Sequence, residues 1–450
     1  MQPPIESRKI ENVRLTIEKL IYGGDGLARL PADEHGRGKA VFVPFVLAGE
    51  QVQATLVEKK PGFGRGRLDE VVQPSEQRVV PRCPYFQRCG GCHYQHAGYE
   101  HQLEIKAAIL KENLRRIAKI ELEAELAVHL SPPWNYRNRT RLKVHSTPEF
   151  ALGYHRFGSH ELLPVQECPI SSPLINQAIA ALWESGRAGK LDEAAEEIEL
   201  FADADDAHLL VEVYCSQESN TEVAEACAGK LQQSLPAATG VVAFKSVGLH
   251  AASAQASRLA AVGDAELIYT TLRDRYRVSA GAFFQVNRHL VNELVEIVTA
   301  GRSGQLALDL FSGGGLFSVV LARSFAQVIA VESSQTSHAD LLYNAPGNVK
   351  VVRALTEQYL RSAGSKLRPD LVIVDPPRSG LGESVVRALA VCGAPRITYV
   401  SCDPATLSRD LGGLVRSGYR IEQAHLLDLF PQTFHVESVM QLVLAGRTQD

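Results

Sequence analysis

A strand, a glycine-rich turn and a helix start are indicated by residues 307–317, which read Ala307-Leu308-Asp309-Leu310-Phe311-Ser312-Gly313-Gly314-Gly315-Leu316-Phe317. Glycines let the backbone of such a turn approach a ligand closely, and the helix N-terminus favours negative charge. The next predicted strand ends at Glu332, whose carboxylate can accept hydrogen bonds from ribose hydroxyls. We therefore expect a nucleoside cofactor here. Ser318 stands where the third glycine of G-x-G-x-x-G would fall, which favours S-adenosylmethionine over NAD.

Strands and helices alternate from about Arg302 onward. Apolar runs predict strands at Gln305 to Phe311, Gln327 to Glu332, Val349 to Arg353, Leu371 to Asp375 and Arg396 to Ser401, with a last strand pair between Arg420 and Leu444. This alternation is typical of a doubly wound, Rossmann-like α/β sheet.

Three further motifs lie at predicted strand ends or in loops of this sheet: Asp375-Pro376-Pro377-Arg378, Ser401-Cys402-Asp403-Pro404 and His435-Val436-Glu437. In parallel α/β sheets the carboxyl ends of the strands form the reaction crevice. A thiol there, at Cys402, can act as a nucleophile, although free cysteines are often buried structural residues. The two prolines fix the backbone and can form a rigid wall for a flat base, or simply end the strand.

The N-terminal region, from about Asn12 to Gln73, has the pattern of a small β-barrel, with short alternating strands broken by glycine turns. Its loop from Lys59 to Arg67 combines positive charges, Phe63 and flexible glycines. Such a loop suits a phosphate backbone and a stacked base, and it equally suits a solvated hairpin tip.

Three cysteines lie close together, at Cys83, Cys89 and Cys92, and a helix is predicted from about Tyr99 to Ala118. Three thiolates leave a tetrahedral site incomplete, and Cys168, which precedes a proline, is a candidate fourth ligand. The spacing predicts a metal centre. Zinc and an iron–sulfur cluster both accept four thiolates, so the choice stays open on spacing alone.

A basic strand is predicted at residues 135–145, where Arg137, Arg139, Arg141 and Lys143 share one face by the period of two. This face can contact nucleic acid, or it can be the outer face of an ordinary sheet.

The composition describes an ordinary globular protein of 450 residues, with 45% apolar residues, 22% charged residues and a net charge of −4. The length suggests two to four domains. Neither a signal peptide nor a run long enough to span a membrane is indicated, so we expect a cytoplasmic protein. In that compartment the eight cysteines are not a disulfide framework.

Together these residues resemble the RNA 5-methyluridine methyltransferases over nearly the whole chain. The segment Tyr22-Gly23-Gly24-Asp25-Gly26-Leu27-Ala28-Arg29 resembles the RNA-binding TRAM domain, and Phe283-Phe284-Gln285-Val286-Asn287 resembles the segment with a cofactor-contacting glutamine. The resemblance implies a TRAM-like barrel over residues 8–75, a central α+β domain over 76–285 and a catalytic domain over 286–450.

The resemblance also implies roles for individual residues. Cys83, Cys89, Cys92 and Cys168 match ligands of a [4Fe–4S] cluster, Cys402 matches the nucleophile and Glu437 the base. Gln285, Asp309, Phe311, Gly313, Glu332 and Asp375 match the pocket for S-adenosylmethionine. The chain departs from the family at Leu316, at Ala354 and at Asp403, where asparagine is usual after the nucleophile.

The function implied is methylation at C5 of a uridine in structured RNA by a monomeric enzyme. The barrel and the cluster together favour 23S rRNA, and a tRNA T-loop uridine is the alternative. Two rivals are amino methylation at the Asp375 strand end, which needs neither Cys402 nor Glu437, and a non-catalytic RNA-binding iron–sulfur protein.

Overall fold

The computed structural model describes residues 11–31, 38–246, 256–363 and 366–446. By its internal contacts the chain divides into two compact units. The first comprises Met1–Ile109 and Gln432–His435, and the second comprises Leu110–Pro431 and Val436–Asp450. The polypeptide thus leaves the second unit for four residues, 432–435, and returns to it just before Glu437.

The first unit contains a six-stranded sheet in the order β1-β5-β6-β4-β3-β2. Its strands are β1 (Glu11–Thr16), β2 (Lys19–Leu20), β3 (Asp25–Arg29), β4 (Ala40–Pro44), β5 (Gln51–Lys59) and β6 (Phe63–Gln73). Alternate residues such as Val41, Val43 and Val52 are buried in its apolar core. The predicted N-terminal β domain is confirmed. Strands β2 and β3 were not predicted, because β2 has only two residues and because Gly26 of β3 is unusual in a strand. A Cβ at Gly26 would meet Val46 Cγ2 at 2.3 Å.

The chain leaves this sheet through a loop that Glu50 holds in place. The buried Glu50 carboxylate accepts hydrogen bonds from the backbone N–H groups of Leu47 and Ser75, and it pairs with Arg78. After the loop that contains Cys83, Cys89 and Cys92, helix α1 (Tyr99–Asn113) continues as a π-helical turn, Leu114–Ala118. The predicted helix is confirmed, but its last residues, Leu114–Ala118, are π-helical and not α-helical.

The first strand of the second unit is β7 (Leu126–His129), which joins the large eight-stranded sheet of this unit. A seven-stranded sheet follows in the order β10-β9-β8-β11-β12-β13-β14. Its strands are β8 (Arg139–His145), β9 (Ala151–His155), β10 (Leu162–Pro164), β11 (Ala195–Ala202), β12 (Leu209–Cys215), β13 (Ala238–Lys245) and β14 (Arg258–Gly263). Helices α2 (Pro173–Arg187) and α3 (Thr221–Ser234) share its apolar core.

A hairpin of β15 (Glu266–Thr270) and β16 (Arg275–Ser279) and helix α4 (Val291–Thr299) lead into the eight-stranded sheet, in the order β19-β18-β17-β20-β21-β23-β22-β7. Its remaining strands are β17 (Gly304–Leu310), β18 (Phe325–Glu332), β19 (Val349–Arg353), β20 (Leu371–Val374), β21 (Arg396–Ser401), β22 (Tyr419–Leu427) and β23 (Glu437–Leu444). The helices between and after them are α5 (Leu316–Leu321), α6 (Gln335–Asn344), α7 (Thr356–Ala363), α8 (Gly382–Cys392) and α9 (Pro404–Arg416). Strands β17 to β21 are parallel, and β23 is antiparallel to β21. The predicted doubly wound sheet is confirmed.

Within the described ranges, none of the helices combines the length and the apolar character needed to cross a bilayer.

Candidate active site

The glycine-rich turn between β17 and α5 has the conformation that its sequence predicts. Phe311, Gly313 and Gly315 have φ angles of 63°, 54° and 95°, in the left-handed region. A Cβ on Gly315 would lie 2.7 Å from Leu341 Cδ1, whereas a Cβ on Gly313 would meet nothing within 4 Å. The turn therefore needs glycine at position 315 and leaves open space beside position 313.

Asp309 lies at the end of β17 and is fully buried. One carboxylate oxygen accepts a hydrogen bond from the Ser318 hydroxyl, and the other has no partner among the described residues. Burial, together with the nearby Glu332, raises the pKa of Asp309 to about 7. In the sequence, Ser318 was noted only because it occupies the position of the third glycine of G-x-G-x-x-G. The pattern gave no sign of this hydrogen bond.

Glu332, at the end of β18, is held by backbone donors. Its Oε2 accepts from Gly313 N–H at 2.9 Å, and its Oε1 accepts from Ser334 N–H at 2.6 Å. The carboxylate is thus fixed beside the glycine-rich turn, and each oxygen keeps a lone pair for a further donor.

Asp375 follows β20, next to β17 in the sheet. Burial first, and Asp309 second, raise the pKa of Asp375 to about 7. The next residues form a tight turn, in which Gly380 N–H donates to Pro377 O at 2.8 Å. Thr406 of α9 donates to the carbonyl of Arg378 at 3.1 Å, so this turn is fixed against the helix that follows Cys402.

Cys402 follows β21 and is partly exposed. Asp403 caps helix α9, because its carboxylate accepts from the N–H groups of Ala405 and Thr406 at 3.0 and 2.9 Å. Asp403 therefore takes the capping role that asparagine could also fill. Burial raises the pKa of the Cys402 thiol to about 12; Glu437 and Asp375 act in the same direction, and Arg378 opposes them.

Glu437 is the first residue of β23 and is buried, with an exposed fraction of 6%. The antiparallel pairing of Ser401 with Ser438 brings Glu437 beside Cys402. Burial, followed by Asp375, raises the pKa of Glu437 well above its ordinary range, and Arg378 lowers it. The sheet therefore gathers Asp309, Asp375, Cys402 and Glu437 along one edge, as the sequence predicted.

Gln285 lies in the segment between β16 and α4, also in the second unit. Its backbone carbonyl accepts a hydrogen bond from Asn138 Nδ2 at 3.2 Å. Phe283, two residues before it, has an exposed fraction of 65% although its neighbours Ala282 and Phe284 are buried.

The four cysteines of the predicted metal centre fall in different units. Cys83, Cys89 and Cys92 belong to the first unit, between β6 and α1, and Cys168 belongs to the second, between β10 and α2. In the part of the chain that the structure describes, no group of three or more His, Cys, Asp and Glu side chains is arranged to hold a metal. All four thiols are nevertheless partly exposed, unlike the buried Cys215, Cys227 and Cys392. That difference fits a ligand role better than a core role.

The basic strand β8 differs from the open basic face that its sequence suggested. Its neighbour β11 places Glu197 opposite Lys143 and Glu199 opposite Arg141, and each pair forms an ion pair. Arg139, on the same strand, is also enclosed by carboxylates. The period of two located these side chains on one face but could not reveal the acidic strand beside them.

The loop from Lys59 to Arg67 forms the β5–β6 hairpin tip, and its cations also have acidic neighbours. Lys60 pairs with Glu58 at 2.8 Å, and Arg65 lies 3.3 Å from Asp25. Both cations remain more than half exposed and flank the ring of Phe63. The tip therefore keeps the combination of an aromatic ring and accessible positive charge.

Known proteins resemble this chain in sequence and in fold. The chain matches the family model described as tRNA (Uracil-5-)-methyltransferase over residues 98–444, and the TRAM domain model over residues 7–68. A relative, the 23S rRNA (uracil(1939)-C(5))-methyltransferase RlmD of Pseudomonas fluorescens (strain Pf0-1), is 34% identical, and the match covers 95% of this chain and 90% of the relative. An uncharacterized RNA methyltransferase of Caldanaerobacter subterraneus subsp. tengcongensis is 32% identical over 95% of this chain and 97% of its own.

A solved structure shares the fold over nearly the whole chain. It is the Pyrococcus abyssi tRNA (uracil-54, C5)-methyltransferase in complex with S-adenosyl-L-homocysteine. The TM-score is 0.74 at 24% sequence identity, with 96% of this chain and all of that chain covered. The resemblance inferred from sequence motifs is confirmed by these matches.

Proposed function

The chain belongs to the tRNA (Uracil-5-)-methyltransferase family and is thereby an RNA uracil-C5 methyltransferase, and from that premise we propose its substrate and its mechanism. The substrate is a uridine in 23S rRNA, Cys402 is the nucleophile and Glu437 is the general base. The observation that carries the mechanism is the strand pairing of Ser401 with Ser438, which sets the thiol beside a buried carboxyl group.

S-adenosylmethionine, when bound, supplies an electrophilic methyl group. The residues proposed to hold it are Gln285, Asp309, Phe311, Gly313, Glu332 and Asp375. Two features fit such a ligand: the buried Asp309 and Ser312 side chains each have a polar atom without a partner among the described residues, and space is open beside Gly313. A buried polar atom without a partner is costly, and a bound ligand can satisfy it.

The chemistry requires a nucleophile because C5 of uracil is itself a poor one. The Cys402 thiolate adds to C6, and the electrons of the C5–C6 double bond move to form an enolate. C5 would then take the methyl group from the bound donor, as the bond between that methyl group and the donor sulfur breaks and its electron pair stays on the sulfur. Glu437 removes the proton from C5, the C5–C6 double bond re-forms and the bond between C6 and Cys402 breaks. The thiolate is regenerated, and the enzyme returns to its starting state once Glu437 loses its proton.

The electrostatics of the site favour the protonated form of both reacting groups before the substrates bind. Burial and neighbouring carboxyl groups raise the pKa of Cys402 and of Glu437. Arg378 is a nearby positive charge that acts against this for both groups. We therefore assign Arg378 the role of favouring the thiolate and the carboxylate.

C5 and C6 of a stacked uridine are shielded, so the target base must be splayed or flipped out of its helix. The Asp375-Pro376-Pro377 turn is proposed as the rigid wall beside that base. The exposed cations and ring of the β5–β6 tip are proposed to contact RNA through phosphates and stacking. Because the cations of β8 pair within the sheet, we assign this strand no direct RNA contact.

Support for 23S rRNA comes from sequence relatives named RlmD that cover nearly the whole chain, TRAM region included. The alternative is a tRNA T-loop uridine, which the name of the structural neighbour suggests. The other two candidates differ chemically. An amino methyltransferase needs neither Cys402 nor Glu437, and a non-catalytic iron–sulfur protein transfers no methyl group.

A structural [4Fe–4S] cluster held by Cys83, Cys89, Cys92 and Cys168 is part of the proposal. Its support is the partial exposure of these thiols and the resemblance of the motif. No step of the methyl transfer needs an electron, so the cluster is assigned a structural role. We further propose that the enzyme works as a cytoplasmic monomer with boundaries between its three domains near residues 75 and 285.

Mass mapping of 5-methyluridine in 23S rRNA and tRNA, from cells with and without this gene, tests the substrate. The proposal expects one rRNA position to lose its methyl group while tRNA is unchanged. Loss of a tRNA methyl group alone would favour the T-loop alternative. Unchanged 5-methyluridine in both RNAs would contradict the proposed substrate class.

A further inference from the structure

The segment that carries Gln285 and the exposed Phe283 runs from residue 280 to 286 and is fixed at both ends. Before it, Ser279 donates to the buried carboxylate of Asp340 in α6, from N–H at 2.8 Å and from its hydroxyl at 2.6 Å. After it, the buried Asn287 amide donates to Ser131 Oγ at 2.9 Å and to Leu429 O at 3.1 Å. The ends are thus tied to the eight-stranded sheet and its helices.

The middle of the segment is held by the seven-stranded sheet instead. Gly281 N–H donates to Glu212 Oε1 at 2.8 Å, and the Arg139 guanidinium donates to Ala282 O at 2.5 Å. Asn138 donates from its backbone to Val286 O at 3.0 Å, besides its bond to Gln285 O. Four hydrogen bonds therefore anchor four of the six residues from 281 to 286.

Two of these four bonds come from a buried charged cluster, which we call the Arg139 cluster and define as Arg139, Glu199 and Glu212. Arg139 ion-pairs with Glu199, and its second terminal nitrogen lies 2.8 Å from Glu212 Oε1. The exposed fractions of the three side chains are only 12%, 10% and 2%. Tyr214 supports the cluster by donating to Glu212 Oε2 at 2.6 Å.

A buried charged cluster is seldom the most stable way to fill such a space, because desolvation offsets much of the ionic attraction. The planar guanidinium of Arg139 does, however, fix several hydrogen-bond acceptors at set distances and angles. Here the acceptors are two carboxylates on neighbouring strands and one carbonyl of the segment. The segment also borders a cavity of about 310 Å³, lined in part by Phe283, Arg137 and Arg141, so it faces space that a ligand can enter.

We propose that Arg139 is a positioning residue for methyl transfer, and this rests on the proposed function. Through Glu212 and the carbonyl of Ala282, it holds residues 280–286 in one conformation and so presents Gln285 to the methyl donor. Strand β8 therefore orders residues 280–286 from the side of the seven-stranded sheet. A side chain that is held in place before binding costs less to order when the ligand arrives.

The test compares Arg139→Lys with Arg156→Lys. Both changes keep the charge and remove the planar guanidinium of an arginine that pairs with a glutamate in the second unit. Arg156 follows β9 of the same sheet and lies 3.6 Å from Glu161, and neither of these two residues belongs to the Arg139 cluster or lines the cavity beside Phe283. Arg156→Lys is therefore the matched control.

Amide hydrogen exchange of the peptide over residues 279–287 gives the first readout, and the KM for S-adenosylmethionine against kcat gives the second. For Arg139→Lys we expect exchange in this peptide to be about tenfold faster, with a KM about tenfold higher and kcat changed much less, as loss of one such bond predicts. Arg156→Lys should change neither quantity. The same result from both variants, or faster exchange without a higher KM, would overturn the assignment.

If Arg139→Lys does not fold, Glu212→Gln replaces it, since it keeps the side-chain volume and weakens the bonds to Gly281 and Arg139. The same two readouts and the same expected changes apply. The hydrogen-exchange result does not depend on turnover. A wild-type protein that methylates no RNA would therefore count against the proposed function, whereas unchanged exchange in an active variant counts against the positioning role.

Discussion

Cys402 and Glu437 lie side by side at the carboxyl end of the large sheet, because Ser401 of β21 pairs with Ser438 of antiparallel β23. One supplies a thiol, and the other supplies a buried carboxyl group. Burial and nearby carboxyl groups raise the pKa of both. The proposed two-step chemistry depends on this pair of side chains. Because Glu437 is buried, ionisation of its carboxyl group also lowers the stability of the folded protein.

Glu437→Gln should stabilise the ligand-free protein at alkaline pH. The folded pKa of Glu437 lies well above its ordinary value of 4.5, so its favourable contribution is present below that value and is lost as pH rises through the folded pKa. Each unit by which the pKa of Glu437 differs between the folded and unfolded states corresponds to about 1.4 kcal/mol of stability. Urea unfolding at pH 5 and pH 8.5 should show a gain from the substitution only at the higher pH. An equal effect at both pH values would mean that Glu437 ionises normally.

Binding of S-adenosylmethionine should release protons at pH 7. Burial raises the pKa of Asp309 and of Asp375 to about 7, so both are partly protonated there. A positively charged sulfonium nearby lowers the pKa of a carboxyl group. Calorimetry in buffers of different ionisation enthalpy measures this release, with S-adenosylhomocysteine, which lacks that charge, as the control. Equal proton release for the two ligands would place the sulfonium away from these carboxylates.

Gly315→Ala should destabilise the second unit by about 1–3 kcal/mol, because the turn needs a φ of 95° there and the new Cβ would meet Leu341. Gly347→Ala is the matched control, since a Cβ there meets nothing within 4 Å and should change stability by less than about 0.5 kcal/mol. Urea midpoints compare the two variants. Equal midpoints would show that the turn relaxes without cost.

Anaerobically purified protein should be brown and contain about four iron atoms per chain. Cys168→Ser should lower the iron content, whereas Cys392→Ser, which changes a buried cysteine of α8, should not. Iron and zinc analysis with absorbance spectroscopy checks both. Stoichiometric zinc without iron would contradict the cluster assignment.

The sequence predicts the parallel part of the large sheet well. Strands β19 and β21 have the predicted bounds, because Val349 to Arg353 and Arg396 to Ser401 are short, β-branched-rich runs between turn signals. Strand β7 was not predicted to join that sheet, since its partner β22 lies almost 300 residues later and local patterns carry no such information. The burial of Arg139 escaped prediction for the same reason: its carboxylates come from β11 and β12.

The position of a candidate site residue was predictable where a motif fixes that residue at a strand end, as for Asp309, Asp375 and Cys402. Contacts that join two separate motifs were not. The Ser318 hydroxyl on Asp309 and the effect of the Arg378 charge on Cys402 depend on distances that only the folded sheet defines.

The central claim is that Cys402 forms a covalent bond to the RNA, and a denaturing gel tests it most directly. Labelled RNA is incubated with S-adenosylmethionine and with wild-type enzyme, Cys402→Ala or Glu437→Gln, and is then run on the gel. Without the thiol no enolate forms, so Cys402→Ala should show neither an enzyme–RNA band nor methylation. Glu437→Gln should still add and take the methyl group but fail to remove the C5 proton, so a methylated enzyme–RNA band should accumulate. If Cys402→Ala still produces 5-methyluridine, Cys402 is not the nucleophile and the proposed mechanism is wrong.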